Sequence, residues 1–221
     1  MEGDISAVIP ARNEAATIAN VVLTIEQHPA IKEVIVVDNA STDETAVVAK
    51  KAGARVIQCP QIGLGRAMKA GVKAAQSRYI LRSDGDIQNW QPMWIDRLLP
   101  TYPHCLSRGI YKSPYNQLPM SNYVVRPFLH LYRPAWEVVP IPTTGTYLLD
   151  RYDHDWEALP DNWSIDIAIL FGSMSNHPEL VKNVEIGTLS DKQRGVAHYI
   201  PMATDLTEYL VSFFAEDILK R

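Results

Sequence analysis

The sequence predicts an α/β protein built on a mostly parallel sheet, and three observations carry that prediction. Four short apolar runs alternate with three helix-period segments in roughly the first eighty residues, the pattern of strands joined by right-handed helical crossovers. The runs at 5–10 and 34–37 lack polar alternation, as expected of strands covered on both faces. They stop at polar segments, Ala11-Arg12-Asn13-Glu14 and Asp38-Asn39-Ala40, and the fourth run stops at Ser83-Asp84-Gly85-Asp86. Ends of this kind fall where open α/β sheets bind ligands.

Each element follows in order. After the first strand, Ala16, Val21, Val22 and Ile25 form one apolar stripe of a helix. Ser41-Thr42-Asp43-Glu44 predicts a capping box ahead of the second helix, in which Ser41 accepts from the amide near Glu44 and Glu44 reaches back. Gly53 is placed to end that helix, and residues 55–58 form a third strand. Gly63-Leu64-Gly65 opens a third helix running to Ala75, and residues 79–83 are the fourth strand. Pro92 suits the first turn of a helix over 92–99 that is expected to lie over the crevice; a strand follows at 105–111. A helical stripe of Val124, Val125, Phe128, Leu129 and Tyr132 marks 120–133, and 140–145 reads as loop. Residues 165–174 are helical, 181–186 form a last strand, and 205–219 form an amphipathic helix. The proline-rich middle reads as a cap facing the substrate.

The chain has 221 residues and is 47% hydrophobic, enough for a sizeable core, and no linker-like composition divides it, so residues 1–221 are expected to form a single domain. Its net charge of −4, with Lys and Arg scattered, argues against nucleic acid as a partner. No apolar run approaches the ~20 residues that span a bilayer, so no integral membrane segment is expected. Cys59 and Cys105 lack metal-type spacing and read as reduced thiols of a cytoplasmic protein. The acidic start Met1-Glu2-Gly3-Asp4 lacks the apolar region of a secretory signal. The aromatic residues near the C-terminus are expected to pack a core or a second copy of the chain, which leaves a homodimer among the expected assemblies.

Asp84-Gly85-Asp86 offers two hard oxygen ligands for a divalent cation at the end of a strand; an Asp-x-Asp in that place is also a common turn or helix cap. The segments 8–14, 36–43, 63–67 and 84–86, in that order, resemble the signature of GT-A fold glycosyltransferases. Tyr111-Lys112-Ser113-Pro114, Val125-Arg126-Pro127-Phe128-Leu129 with Arg133-Pro134, Thr144-Gly145-Thr146-Tyr147 and Ser164-Ile165-Asp166-Ile167-Ala168 resemble the glucosyl- and mannosyl-3-phosphoglycerate synthases within that superfamily. The resemblance extends over nearly the whole chain.

It implies a GT-A domain with a nucleotide-sugar half at 1–90 and an acceptor half with a small cap at 91–221. Such an enzyme moves a hexose from a nucleoside diphosphate sugar, here UDP-linked, to a small acceptor, and Mg²⁺ or Mn²⁺ stabilises the departing diphosphate. Asp86 matches the metal-ligating aspartate and Asp84 the contact to ribose or nucleotide, while Gly85 leaves room for the diphosphate. Glu14 and Asp38 match nucleoside-recognising positions, with Pro10, Ala11, Arg12 and Asn39 in the same donor loops. Gly63 and Gly65 match a G-K-G turn in which Leu64 replaces Lys, a loss that Arg66 would partly restore. Asp191 stands where relatives often carry a ligating His, and His198 is the alternative third ligand. Asp166 matches the acidic residue facing the acceptor hydroxyl, as general base or as an orienting group.

For the acceptor, Lys112, Ser121, Asn122, Gly145 and Thr146 are the candidates, with Arg126 in support. The family's Gly-rich phosphate loop is absent, so Ser121 and Asn122 either donate to a phosphate at a helix start or cap that helix. The acceptor is expected to be 3-phosphoglycerate or another small anionic or hydroxylated compound. Three other readings stand beside this one: a dolichyl-phosphate mannosyltransferase-like enzyme, a sugar-phosphate nucleotidyltransferase, and a catalytically inactive nucleotide-sugar binding module.

Overall fold

The computed structural model describes residues 4–99, 106–114, 118–192 and 194–220, so Cys105, Asn116 and Gln117 lie outside the described residues. The first half builds as its periodicity predicts: β1 (Ile5–Ala11), α1 (Ile18–Glu26), β2 (Ile31–Asp38), α2 (Thr45–Lys51), β3 (Arg55–Gln58), α3 (Leu64–Ala74) and β4 (Tyr79–Arg82). The α1 stripe is Ile18, Val21, Val22 and Ile25; Ala16 precedes the helix and is exposed. Gly53 ends α2 with φ +103°, its amide donating to the Lys50 carbonyl.

The predicted capping box does not form. Asp43 accepts from the Thr45 amide (3.0 Å), while Ser41 Oγ accepts from the Asn13 amide (3.1 Å) across the crevice. Ser41 is therefore spent on bracing the β1 loop, where Asn13 adopts φ +59°, against the β2 loop, where Ala40 adopts φ +56°.

The second half comprises α4 (Met93–Leu98), β5 (Leu106–Lys112), a π-helical turn (Met120–Val125) running into α5 (Arg126–Tyr132), β6 (Tyr147–Asp150), α6 (Ile165–Asn176), β7 (Val181–Thr188), α7 (Val196–Phe213) and α8 (Ala215–Leu219). Two features depart from expectation. Pro127 has no amide hydrogen for the carbonyl one turn back, and the helix ahead of it widens into the π turn. Residues 140–145 form the expected loop, and the chain beyond them becomes β6, a strand absent from the sequence reading, which enters the sheet antiparallel to β4 and β5.

One seven-stranded sheet of order β3-β2-β1-β4-β6-β5-β7 thus holds strands from both halves of the sequence. β1 pairs in parallel with β2 and β4, and β5 in parallel with β7; only β6 runs against its neighbours. Alternate strand residues feed two cores. Val8, Val37, Ile80 and Tyr147 point to the face covered by α3 and α6, whereas Ile9, Val36, Leu81 and Leu148 point to the face covered by α1 and α4. The strand ends of β1, β2 and β4 converge on one edge of the sheet, and the acidic residues stand there.

Candidate active site

The donor side is built from three loops. Asn39, 6% exposed, fastens two of them: its amide group donates to the carbonyls of Cys59 (3.2 Å) and Gln61 (2.8 Å), and its Oδ1 accepts from the Gly63 amide (2.8 Å). Asp38 ends β2 beside Ala11 in register and accepts from the Ser41 amide (3.3 Å). Pro10 and Ala11 lie within β1, and Arg12 stands exposed just past it. Gly63 and Gly65 pack closely against the segment that precedes α6. A Cβ at either would overlap the backbone at Pro160 or Asp161, and the amides of Gly65 and Arg66 donate to the carbonyls of Asn162 (3.2 Å) and Asp161 (3.1 Å). Arg66 also pairs with the Asp161 carboxylate at 3.3 Å. These residues hold α3 against the segment that leads into α6.

Around Asp86 the structure gathers four further groups. Gln88 and Asn89 hydrogen-bond residues 188–190, with Gln88 N to Ser190 O, Asn89 Nδ2 to Thr188 O and Ser190 N to Asn89 Oδ1 all at 2.8 Å. That lacing brings Asp191 close to Asp86. Burial pushes the Asp191 carboxyl up, and the charge of Asp86 pushes it further. Glu14, 7% exposed, is raised for the same two reasons, and its Oε2 is buried without a hydrogen-bond partner. Arg194 bridges Glu14 and Asp86, donating to Asp86 Oδ2 at 2.9 Å, and Lys192 reaches Glu14 at 3.8 Å. His198, in the first turn of α7, has its pKa lowered by burial and by Arg194, and its ring packs edge-on to Trp163. The Gly85 carbonyl accepts from Thr17 Oγ1 (2.8 Å), and a Cβ there would press on Ile18 and Ala11.

These groups suit a divalent cation by charge and donor chemistry. Glu14 and Asp191 are raised by burial and by the charge of Asp86, Glu14 Oε2 is buried without a hydrogen bond and has only Lys192 at 3.8 Å, and a guanidinium bridges Glu14 and Asp86. Among the described residues, however, no three His, Cys, Asp or Glu side chains stand as a ready-made metal cluster.

The acceptor side centres on Asp166, in the first turn of α6 and 8% exposed. Its Oδ1 accepts from the Tyr147 hydroxyl (2.9 Å) and its Oδ2 from Arg82 (3.2 Å). Arg82 also pairs with Asp84 at 2.6 Å and donates to the Gly145 carbonyl. Arg82, Tyr147 and Arg108 are in register across β4, β6 and β5, and so share the sheet face beneath α6. A cavity of about 70 Å³ opens there between Asp84, Gly145 and Asp166, with Leu64, Trp163, Met202 and Leu206 as its apolar wall. Asp84 keeps 43% of its side-chain surface but is stripped of water on its remaining sides; that desolvation, opposed by Arg82 and aided by Asp86 and Asp166, raises its pKa to about 7.

The other acceptor candidates are dispersed. Ser121 is fully buried with its hydroxyl bonded to Thr143 Oγ1 (2.7 Å), Asn122 is exposed on the π turn, and Lys112 is exposed at the end of β5. Arg126 donates to the Pro140 carbonyl at 3.3 Å. Gly145 does line the cavity at Asp166, with Thr143 beside it, whereas Thr146 is fully buried and its Oγ1 makes no hydrogen bond. Sequence reasoning missed Arg82, Tyr147, Arg108 and Arg194. For Arg82 and Arg108 a signal was present, since an arginine inside an apolar strand must find buried acceptors.

A crevice at the strand ends, acidic groups at its donor edge and a carboxylate facing them from α6 match the GT-A fold of glycosyltransferases. Residues 6–104 match Glycosyl transferase family 2. The glucosyl-3-phosphoglycerate synthase of Mycolicibacterium smegmatis is 26% identical over 94% of this chain and 77% of its own length. The crystal structure of glucosyl-3-phosphoglycerate synthase from Mycobacterium tuberculosis with Mn²⁺, uridine-diphosphate-glucose and phosphoglyceric acid superposes with a TM-score of 0.86, at 26% identity, over 94% of this chain and 78% of that one. The same enzyme with Mg²⁺ and uridine-diphosphate gives a TM-score of 0.85 at 26% identity, over 94% and 78%. No helix among the described residues is long and apolar enough to cross a membrane.

Proposed function

We propose that this chain transfers glucose from UDP-glucose to the hydroxyl of a small phosphorylated acid of the 3-phosphoglycerate type, with Mg²⁺ or Mn²⁺ bound at the donor. The observation that carries this reading is the meeting of donor-side Asp84 and acceptor-side Asp166 across one small cavity, with the Asp86 cluster beside it. The bound substrates and metals of the similar mycobacterial enzyme support the choice of donor, cation and acceptor.

In this reading Asp86 and Asp191 hold the metal, with His198 as the nitrogen donor within reach of their field. When bound, the cation offsets the negative charge that gathers on the departing diphosphate. The chain's own groups do the rest. Glu14, Asp38 and Asp84 would face the nucleoside end, and Arg194, which bridges Glu14 and Asp86, would supply a cation for the diphosphate. Asp166, fixed by Tyr147 and Arg82, accepts a hydrogen bond from the acceptor hydroxyl and orients its oxygen toward the sugar. The apolar wall of Trp163, Met202 and Leu206 keeps competing water from that point.

The chain acts as one catalytic unit over residues 1–221. Cys59, buried and without a disulfide, is consistent with a cytoplasmic home, and exposed Val196, Ile200 and Val211 on α7 offer apolar surface for a homodimer.

Incubation with UDP-glucose, Mn²⁺ and 3-phosphoglycerate is expected to release UDP and form a glucosylated phosphoglycerate, read by mass spectrometry. Asp86→Ala is expected to abolish product and to erase the Mn²⁺-dependent thermal shift given by UDP. Ligand at a hundredfold over its Kd stabilises the folded state by about 2.7 kcal/mol, so the shift is measurable. A Mn²⁺-dependent shift that survives in Asp86→Ala would overturn the metal assignment.

A further inference from the structure

Arg82 is a fully buried arginine at the end of a strand whose neighbours Ile80 and Leu81 are also fully buried. A guanidinium is kept in such a place only where acceptors compensate its charge, and here both Nη atoms find them while Nε is buried without one. Here the acceptors come from both halves of the active site: Asp84 at 2.6 Å on the donor side, Asp166 at 3.2 Å on the acceptor side, and the Gly145 carbonyl between them.

Two further observations show that the surroundings are shaped around this contact. A Cβ at position 145 would overlap both the Arg82 Nη1 and the Asp84 carboxylate, so glycine is what leaves room for the pair. Tyr147, opposite Arg82 in the β4–β6 register, holds the other oxygen of Asp166 at 2.9 Å. Adjacent strands therefore grip the acceptor-side carboxylate by both oxygens, and one of the two grips is shared with the donor side.

We propose that Arg82 is a positioning residue that couples the two halves of the site: by bridging Asp84 and Asp166 it ties the aim of the acceptor-side carboxylate to the occupancy of the donor side. This rests on the proposed transfer from UDP-glucose. The two carboxylates share a single guanidinium, so a donor group that engages Asp84 changes how firmly Arg82 holds Asp166. Arg82 also lines the cavity between the two carboxylates, and in this role it acts through them.

The test is a double-mutant cycle on kcat and KM with Arg82→Met and Asp166→Asn, with Arg82→Lys beside them. Arg82→Met is expected to lower kcat by about tenfold or more, with KM for UDP-glucose within about threefold of wild type. Arg82→Lys restores part of the loss, because an ammonium keeps the charge but cannot serve both carboxylates in one plane. In the Asp166→Asn background the further change Arg82→Met is expected to cost less than about threefold, since its effect passes through Asp166.

Losses that simply multiply, or a folded Arg82→Met with wild-type kcat, would overturn the positioning role. If Arg82→Met fails to fold, the cycle is run with Arg82→Lys and with Gly145→Ala, which crowds the same bridge while leaving the charge. A kcat loss masked by Asp166→Asn supports the role, and an unmasked one overturns it. Absence of transfer by the wild type with UDP-glucose and 3-phosphoglycerate would overturn the proposed function and this role with it. An active wild type with multiplying losses would overturn this role alone.

Discussion

Asp84 carries opposing demands in one side chain: Arg82 favours its anion, while burial and the charges of Asp86 and Asp166 favour the neutral acid. The balance favours the neutral acid, and the folded pKa rises from the ordinary 3.8 to about 7. The folded state therefore holds a proton that the unfolded state has released between those two values. By linkage, the contribution of this group to stability falls as pH rises from 3.8 toward about 7 and is level on either side. Glu14 and Asp191, also raised, act in the same direction. Thermal unfolding of the ligand-free protein followed from pH 4 to pH 8 is expected to show this decline, and Asp84→Asn to make it shallower over the same window. A variant whose pH slope equals that of wild type would show that Asp84 is not raised.

At the scale of elements, the α3 N-terminus shows how a readable motif also serves packing. Gly63-Leu64-Gly65 signals close backbone approach, and the structure does provide one, but to Pro160 and Asp161. Because residue 160 follows the chain from β6 and precedes α6, this contact sets where α6 begins and so where Asp166 stands. Gly65→Ala puts a methyl group into the Pro160 carbonyl, and overpacking of this kind costs about 1–3 kcal/mol. Urea unfolding is expected to show that loss with an unchanged m-value; a variant as stable as wild type would mean that the two segments part freely.

The same elements show what the sequence made legible. Strands β1 to β4 and their helices could be read because each is a local pattern of apolar runs and caps. β6 could not: four residues, Tyr147 to Asp150, have no period of their own, and their strand character comes from pairing with β4 more than sixty positions away. The site divides the same way. Asp84, Asp86 and Asp166 announce themselves by type and place, whereas Arg194 reaches Asp86 across 108 positions and Arg82 reaches Asp166 across 84, distances over which no local rule operates.

For the whole molecule, the sheet decides how the chain unfolds. The first half of the chain supplies β1 to β4 and the second half β5 to β7, but the order β4-β6-β5-β7 stitches them through one antiparallel strand. Both cores draw on both halves. The face beneath α3 and α6 joins Val8 and Met68 to Tyr147 and Phe171, and the opposite face joins Ile9 and Val22 to Leu148 and Ile186. Neither half can lose its packing without exposing apolar surface of the other, at roughly 25 cal/mol per Å². We therefore expect residues 1–221 to unfold as one cooperative unit. Trp90 and Trp94 report on one face, and Trp136 borders the core of the other, so tryptophan fluorescence samples both cores while far-UV circular dichroism samples the sheet and helices. In urea the two signals are expected to trace one transition with a common midpoint. Two separated transitions, with the fluorescence of the Trp90 and Trp94 face departing from the rest, would show instead that the halves fold apart and that β6 is a hinge between them.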